Sequence, residues 1–203
     1  MSKKMKQLSV IMVIATVMAC SLGFAQPSIV AVTGETTTYA PGDDGFYQAG
    51  VTGPSPRFRD LGNGTVRDGL TGLIWLKQAN CFGPVPWADA IADANNLASP
   101  NCGLADRSVA GDWRLPNVKE LLSLIDYGFF QPALSNAAGT GQWTEGDAFS
   151  NVGARNCYWS STTRVDLPSR AWFVGLDAGS ATDIEDLANK ANSCFVWPMW
   201  GGL

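Results

Sequence analysis

The chain has 203 residues, 46% of them hydrophobic and 16% charged, with no His and a formal net charge of -4, which suits one ordinary domain with a substantial core. The low charged fraction, with 22 Gly, 11 Pro and 8 Trp, predicts a loop-rich, aromatic-cored fold rather than a bundle of long charged helices. The negative charge argues against a nucleic-acid footprint, and the lack of His removes the usual metal ligand and the general base of Ser-His and Cys-His enzymes.

At the N-terminus Lys3, Lys4 and Lys6 precede an apolar run from Leu8 to Cys20, and Gly23-Phe24-Ala25 places small residues where a signal peptidase reads. Residues 1–25 are therefore expected to be a secretory signal peptide. The run covers 13 residues, short of the roughly 20 that span a bilayer, so no transmembrane span is expected in the mature protein. Val17-Met18-Ala19-Cys20 resembles a lipobox in which Met18 fits poorly, and lipidation at Cys20 is the less favoured reading. Cleavage after Ala25 removes three Lys and no acids, taking the charge from -4 to -7.

Residues 26–57, rich in Thr, Gly, Pro and Ser with turn signals at Pro41-Gly42-Asp43-Asp44-Gly45, read as a polar lead-in, and residues 58–203 as the domain. Asn63-Gly64 predicts a two-residue hairpin turn between Phe58–Leu61 and Thr65–Asp68. Leu73-Ile74-Trp75-Leu76 reads as a central strand buried on both faces. A first helix is predicted with Pro86 at its first position, Asp89 in its first turn, and Trp87, Ile91, Ala94 and Ala98 on one face. A second has Asn117 as cap, Glu120 completing a capping box, Val118, Leu121, Leu122 and Ile125 as its apolar face, and Gly128 as its end. Gly128 to Gly153 is a long polar, Gly-rich loop of the kind that often carries function. Tyr158–Thr162, Ala171–Leu176 and Phe195–Trp197 read as strands, while 184–191 reads as a short helix or a loop.

With Cys20 in the signal, Cys81, Cys102, Cys157 and Cys194 remain, an even set that predicts two disulfides in an oxidising compartment. Four Cys allow three connectivities, and the spacing favours Cys81 with Cys102 and Cys157 with Cys194. No C-x-x-C spacing supports a zinc site.

The segments Gly62-Asn63-Gly64-Thr65-Val66-Arg67-Asp68, Leu70-Thr71-Gly72-Leu73-Ile74-Trp75, Gly111-Asp112-Trp113-Arg114-Leu115-Pro116-Asn117, Tyr158-Trp159-Ser160-Ser161-Thr162-Thr163, Ala171-Trp172-Phe173-Val174 and Val196-Trp197-Pro198 resemble the Lcl C-terminal domain family in order and spacing. That family is widespread in exported bacterial proteins. The resemblance implies an α+β, C-type lectin-like fold: two helices packed on a twisted, mostly antiparallel sheet, with long loops on one surface and two disulfides. The same fold embraces formylglycine-generating enzymes and variable ligand-binding proteins, so it does not choose a function. Collagen-like relatives resemble adhesins for sulfated polysaccharides, but this chain has no collagen repeat and is acidic, which disfavours sulfated ligands.

The Trp residues at 75, 113, 159, 172 and 197 read as core, Arg114 as a structural ion-pair or backbone-bonding arginine, and Ser160 to Thr163 as strand-edge hydroxyls with no His to activate them. That leaves Trp143, Glu145 and Asp147, Arg164 and Asp166, and Asp183 and Glu185 as loop residues without an evident structural task. An aromatic plate beside carboxylates suits a sugar or peptide site. Acid clusters also suit calcium, although no metal or other cofactor is required by this reading.

The expected function is an exported, non-enzymatic binding module acting at the cell surface, in the periplasm or as a secreted protein. Its expected partner is a glycan or a surface protein, with no nucleic acid and with homo-oligomers allowed. The alternatives are an oxidase-like enzyme of the formylglycine-generating type, needing Cys157 and Cys194 reducible, and a structural domain of a larger surface assembly.

Overall fold

The computed structural model describes residues 30–153, 157–177 and 186–200; the expected signal peptide, Cys20, Asp183 and Glu185 lie outside the described residues. Among the described residues ten short strands form two five-stranded sheets, accompanied by three short α-helices. The first sheet contains β1 (Phe58–Asp60), β2 (Thr65–Asp68), β3 (Ile74–Leu76), β5 (Trp113–Arg114) and β10 (Met199–Trp200), in the order β1-β2-β3-β10-β5. The second contains β4 (Pro84–Val85), β6 (Cys157–Thr163), β7 (Arg170–Gly175), β8 (Asp186–Asn189) and β9 (Cys194–Phe195), in the order β4-β9-β6-β7-β8. Pairing is antiparallel throughout except between β6 and β9. The mixed α+β content, antiparallel sheets and two disulfides agree with the expectation, with two sheets in place of the single one anticipated.

The β1–β2 hairpin is real but its turn is longer than two residues. Asp60 faces Val66 and the Leu61 N–H donates to the Thr65 carbonyl (3.0 Å), leaving Gly62-Asn63-Gly64 as the connection. Gly64 has φ +85°, and a Cβ there would collide with the Gly103 carbonyl. Only glycine satisfies both the left-handed backbone and the close approach. β3 is central as predicted, with Trp75 and Leu76 wholly buried.

Helix α2 (Trp87–Asn96) starts one residue later than predicted, with Pro86 as the extended N-cap. Ala90 and Ala94 pack with Leu115, Trp159, Ala171, Cys194 and Val196 into one core. The Lys190 ammonium lies 3.8 Å from the centre of the Trp87 ring and donates to Thr163 Oγ1 (2.8 Å), pinning the chain after β8 over this helix. Residues 186–189 are thus a strand paired to β7 rather than a helix or a loop, because the sheet edge supplies backbone partners that helical spacing alone cannot show.

Helix α3 (Val118–Leu122) has the predicted capping box: Asn117 Oδ1 accepts from the Glu120 N–H (3.0 Å) and Glu120 Oε2 accepts from the Asn117 N–H (2.7 Å). It ends at Leu122, well before Gly128. Ser123 Oγ donates back to the Glu120 carbonyl (2.7 Å), and Leu124 and Ile125 then bond to Leu121 and Leu122 in tighter three-residue steps. This shift buries Leu121 and Leu124 and leaves Leu122 only half-buried, so the predicted apolar face is correct at Leu121 and displaced at Leu122.

The larger core lies between the sheets. Phe149 sits edge-on to Phe58 and Trp197, each at 5.0 Å, and Trp197 meets Trp75 and Tyr158. Disulfides join Cys81 to Cys102 and Cys157 to Cys194, as the spacing favours. Their sequence separations of 21 and 37 residues correspond to about 3 and 4 kcal/mol of stabilisation in the chain-entropy model.

Candidate ligand-binding site

Trp143 does not form an exposed plate. It is 8% exposed, belongs to the larger core, and its indole N–H donates to the Phe149 carbonyl (3.3 Å). Glu145 accepts the Asn151 N–H through both oxygens (3.0 and 3.1 Å), supporting a residue with φ of 56°. Asp147 accepts from the N–H groups of Ala137 (3.2 Å) and Ala148 (3.0 Å). All three therefore hold the 134–151 loop, whose backbone also bridges Gln78 to Ser150 and Ser135 to Gln142. Arg164 and Asp166 form a two-point ion pair within the exposed β6–β7 connection (2.5 and 2.8 Å), on the other sheet. The sequence could not show this, because loop residues busy with their own loop carry the same letters as residues free to bind.

Arg114 grips Glu120 through both terminal nitrogens (2.8 and 2.6 Å), as a structural arginine. Burial alone would raise the Glu120 carboxyl, but Arg114 and the Asn117 N–H outweigh it and hold it below its usual range. Thr162 Oγ1 accepts the Val118 N–H (3.1 Å) and Ser160 Oγ donates to the Trp172 carbonyl (2.7 Å), so these hydroxyls serve the scaffold.

A concavity among the described residues lies elsewhere, between the lead-in and the chain leaving α3. The lead-in crosses the body with its Val32 N–H bonded to the Val51 carbonyl (3.2 Å) and its Thr33 carbonyl accepting from the Tyr127 N–H (2.8 Å). A one-turn helix, α1 (Asp44–Tyr47), is capped by Asp43, and Thr33 Oγ1 bonds Asp44. Gly34 has φ +92° and lies so close that a Cβ would collide with the Asp126 carboxylate. A cleft of about 1110 Å³ is lined by the lead-in, over 30–34, 51–55 and Arg57, and by the chain after α3, from Leu122 and Ser123 through Ile125 to Phe129, with Ala138 to Thr140.

Two charged residues are set into these walls. Arg57 is 8% exposed, its ring-stacked guanidinium 4.6 Å from the Phe58 centroid, with Nη2 donating to the Ser123 carbonyl. Its Nε is buried without a hydrogen bond, 3.8 Å from Asp68 Oδ1 and so beyond hydrogen-bond reach, while the Asp68 oxygens accept from Leu70 N–H and Thr71 Oγ1 (both 2.9 Å). Nη1 has no hydrogen bond among the described residues, and Arg57 lines the cleft. Asp126, 9% exposed, also lines the cleft; Oδ1 accepts the Gly128 N–H (3.1 Å), while Oδ2 accepts no hydrogen bond among the described residues. Burial raises the Asp126 carboxyl, opposed by the Gly128 N–H and by Arg57, and burial lowers Arg57, opposed by Asp68 and Asp126. Sequence reasoning missed both. For Asp126 the available signal was a lone charge in an apolar stretch, between Ile125 and Tyr127; Arg57, beside Arg59 and Asp60, carries no such signal.

Among the described residues no three His, Cys, Asp or Glu side chains converge as a metal site, and no helix is long and apolar enough to cross a membrane.

These features define a class: a small, disulfide-stapled α+β domain with antiparallel sheets and a loop-walled cleft, compatible with a C-type lectin-like fold. Within that class the chain belongs to the Lcl C-terminal domain family, whose model matches residues 64–199. No curated protein matches the chain. The match takes in the α3 side of the cleft, while Arg57 and the lead-in wall precede it.

Proposed function

We propose that the chain is an exported, non-enzymatic binding module that engages a glycan or a surface protein. The cleft beside the lead-in carries this reading, because it joins a large concavity to a fixed donor, Arg57, and a fixed acceptor, Asp126. Such pairing of apolar walls with a few placed polar groups is how ligand sites gain orientation and specificity. Membership of the Lcl C-terminal domain family and two disulfides are consistent with a surface-associated, exported protein. The non-catalytic reading is supported by Cys157 and Cys194 acting as a staple and by the scaffold bonds of Ser160 and Thr162.

A glycan and protein binding screen of the oxidised chain, with and without calcium, tests the proposal, using Thr140→Trp to fill an exposed part of the cleft wall. A ligand captured by the native protein and lost with Thr140→Trp, at unchanged thermal stability, is the expected outcome. A ligand held equally well by both proteins removes the cleft from consideration, and turnover of a thiol peptide contradicts the non-enzymatic reading.

A further inference from the structure

Resting on the binding reading above, we infer that the cleft takes an uncharged, hydroxyl-rich oligosaccharide, with Arg57 Nη1 as donor and Asp126 Oδ2 as acceptor to neighbouring sugar hydroxyls. A hydroxyl both donates and accepts, so a donor and an acceptor lining one cleft suit a polyol better than an ion. Both side chains are more than nine-tenths buried, and each is fixed by a second bond, to the Ser123 carbonyl and from the Gly128 N–H. Such preorganised groups lose little freedom when a ligand arrives. The wall adds Ser and Thr hydroxyls, with Phe129 and Tyr127 as ring surface for the C–H faces of a pyranose.

Charge decides against an anionic ligand. Arg57 is already opposed by Asp68 and Asp126, leaving Lys119 as the one further cation lining the cleft among the described residues, on a chain whose net charge is -4. An acidic or sulfated sugar would bring its charge to Asp126 and require that carboxylate to be neutralised. Backbone pairing decides against an extended peptide. The lead-in groups that would template a strand are engaged, Val32 N–H and the Val30 carbonyl with Val51, and the Thr33 carbonyl with Tyr127. A peptide would find no free ladder there. The volume, about 1110 Å³, exceeds what one small molecule needs and suits several linked sugar rings.

The experiment is a titration of the full oxidised chain, by calorimetry and by amide chemical shifts, with maltohexaose and N-acetylchitohexaose as neutral probes. An oligogalacturonate, a heparin hexasaccharide and a decapeptide mixture are the comparators. The expected result is binding of a neutral probe, with shifts at Gly34 and Gly128 and little dependence on salt, weakened at least about tenfold by Asp126→Asn and unchanged by Asp166→Ala. Arg57→Lys, which keeps the charge but not the planar donor, gives a second weakened variant; urea midpoints of both variants separate lost binding from lost folding. Tighter binding of a charged sugar or of peptide at the same resonances overturns this inference and leaves the binding-module reading standing. Neutral-probe binding that Asp126→Asn does not weaken overturns the assigned pair, and no cleft shifts with any probe contradicts both readings.

Discussion

Two stretches of this chain look alike as sequences and differ in the molecule. The lead-in over 30–57 and the loop over 128–153 are both polar and rich in Gly, Ser and Thr. Yet the loop is drawn into the core by Trp143 and Phe149 and lends the open cleft only Gly128, Phe129 and Ala138 to Thr140, whereas the lead-in lines it along most of 30–36 and 51–57. Position relative to the two sheets separates them. The 134–151 loop bridges to Gln78 as the chain leaves β3, where aromatic side chains can fill the space between sheets. The lead-in arrives from outside both sheets and lies along the exit of α3, where its backbone contacts Tyr127 without filling the space beneath.

The sharpest way to break this contrast is at the loop. Trp143→Ala or Phe149→Ala is expected to destabilise the protein by about 3 to 5 kcal/mol, the range for losing a buried large aromatic, as measured by chemical denaturation. A surface-like effect at both positions would return the loop to the binding surface. On the α3 side, Leu124→Ala, at a wholly buried position, is expected to cost about 2 to 5 kcal/mol and clearly more than Leu122→Ala. The reverse order would restore a regular helix through Ile125.

The next effect is smaller and depends on pH. Because the folded state holds the Glu120 carboxyl below its usual range, its contribution is present above the unfolded value of about 4.3. It is lost as pH falls through the folded value. Glu120→Gln should therefore flatten the acid limb of the stability profile, and an unchanged limb would remove the Arg114 pair as its cause. Asn117→Ala is expected to cost about 1 kcal/mol through the lost cap. For the lead-in, Gly34→Ala cannot keep its φ of +92° or its approach to Asp126 without strain. It is expected to speed exchange of the Tyr127 amide roughly tenfold, equivalent to about 1.4 kcal/mol of local opening, while the global midpoint moves less. Equal loss of both would make the lead-in part of the cooperative core.

Much of the scaffold was legible in the sequence because its signals are local. The Asn117 and Glu120 capping box, the central apolar strand at 74–76, the hairpin around Gly64 and the Cys spacing each need only near neighbours, and all appear. Helix length at Ser123 and the strand at 186–189 were not legible, because they depend on a side chain bonding back to its own helix and on an edge offered by β7. The candidate site was the least legible part. Arg57 and Asp126 are 69 positions apart in number, and only the passage of the lead-in along the exit of α3 brings them into the lining of one cleft. Trp143 looked available because a core aromatic and a binding aromatic share one letter and one kind of loop.

The central claim is that ligands enter beside the lead-in rather than on the 143–147 and 164–166 loops. Mapping amide shifts during a titration with N-acetylchitohexaose or maltohexaose tests it most directly. The account predicts changes concentrated at Thr33, Gly34, Tyr127 and Gly128, with Glu145, Asp147 and Asp166 unmoved; changes concentrated at those three carboxylate residues would contradict it.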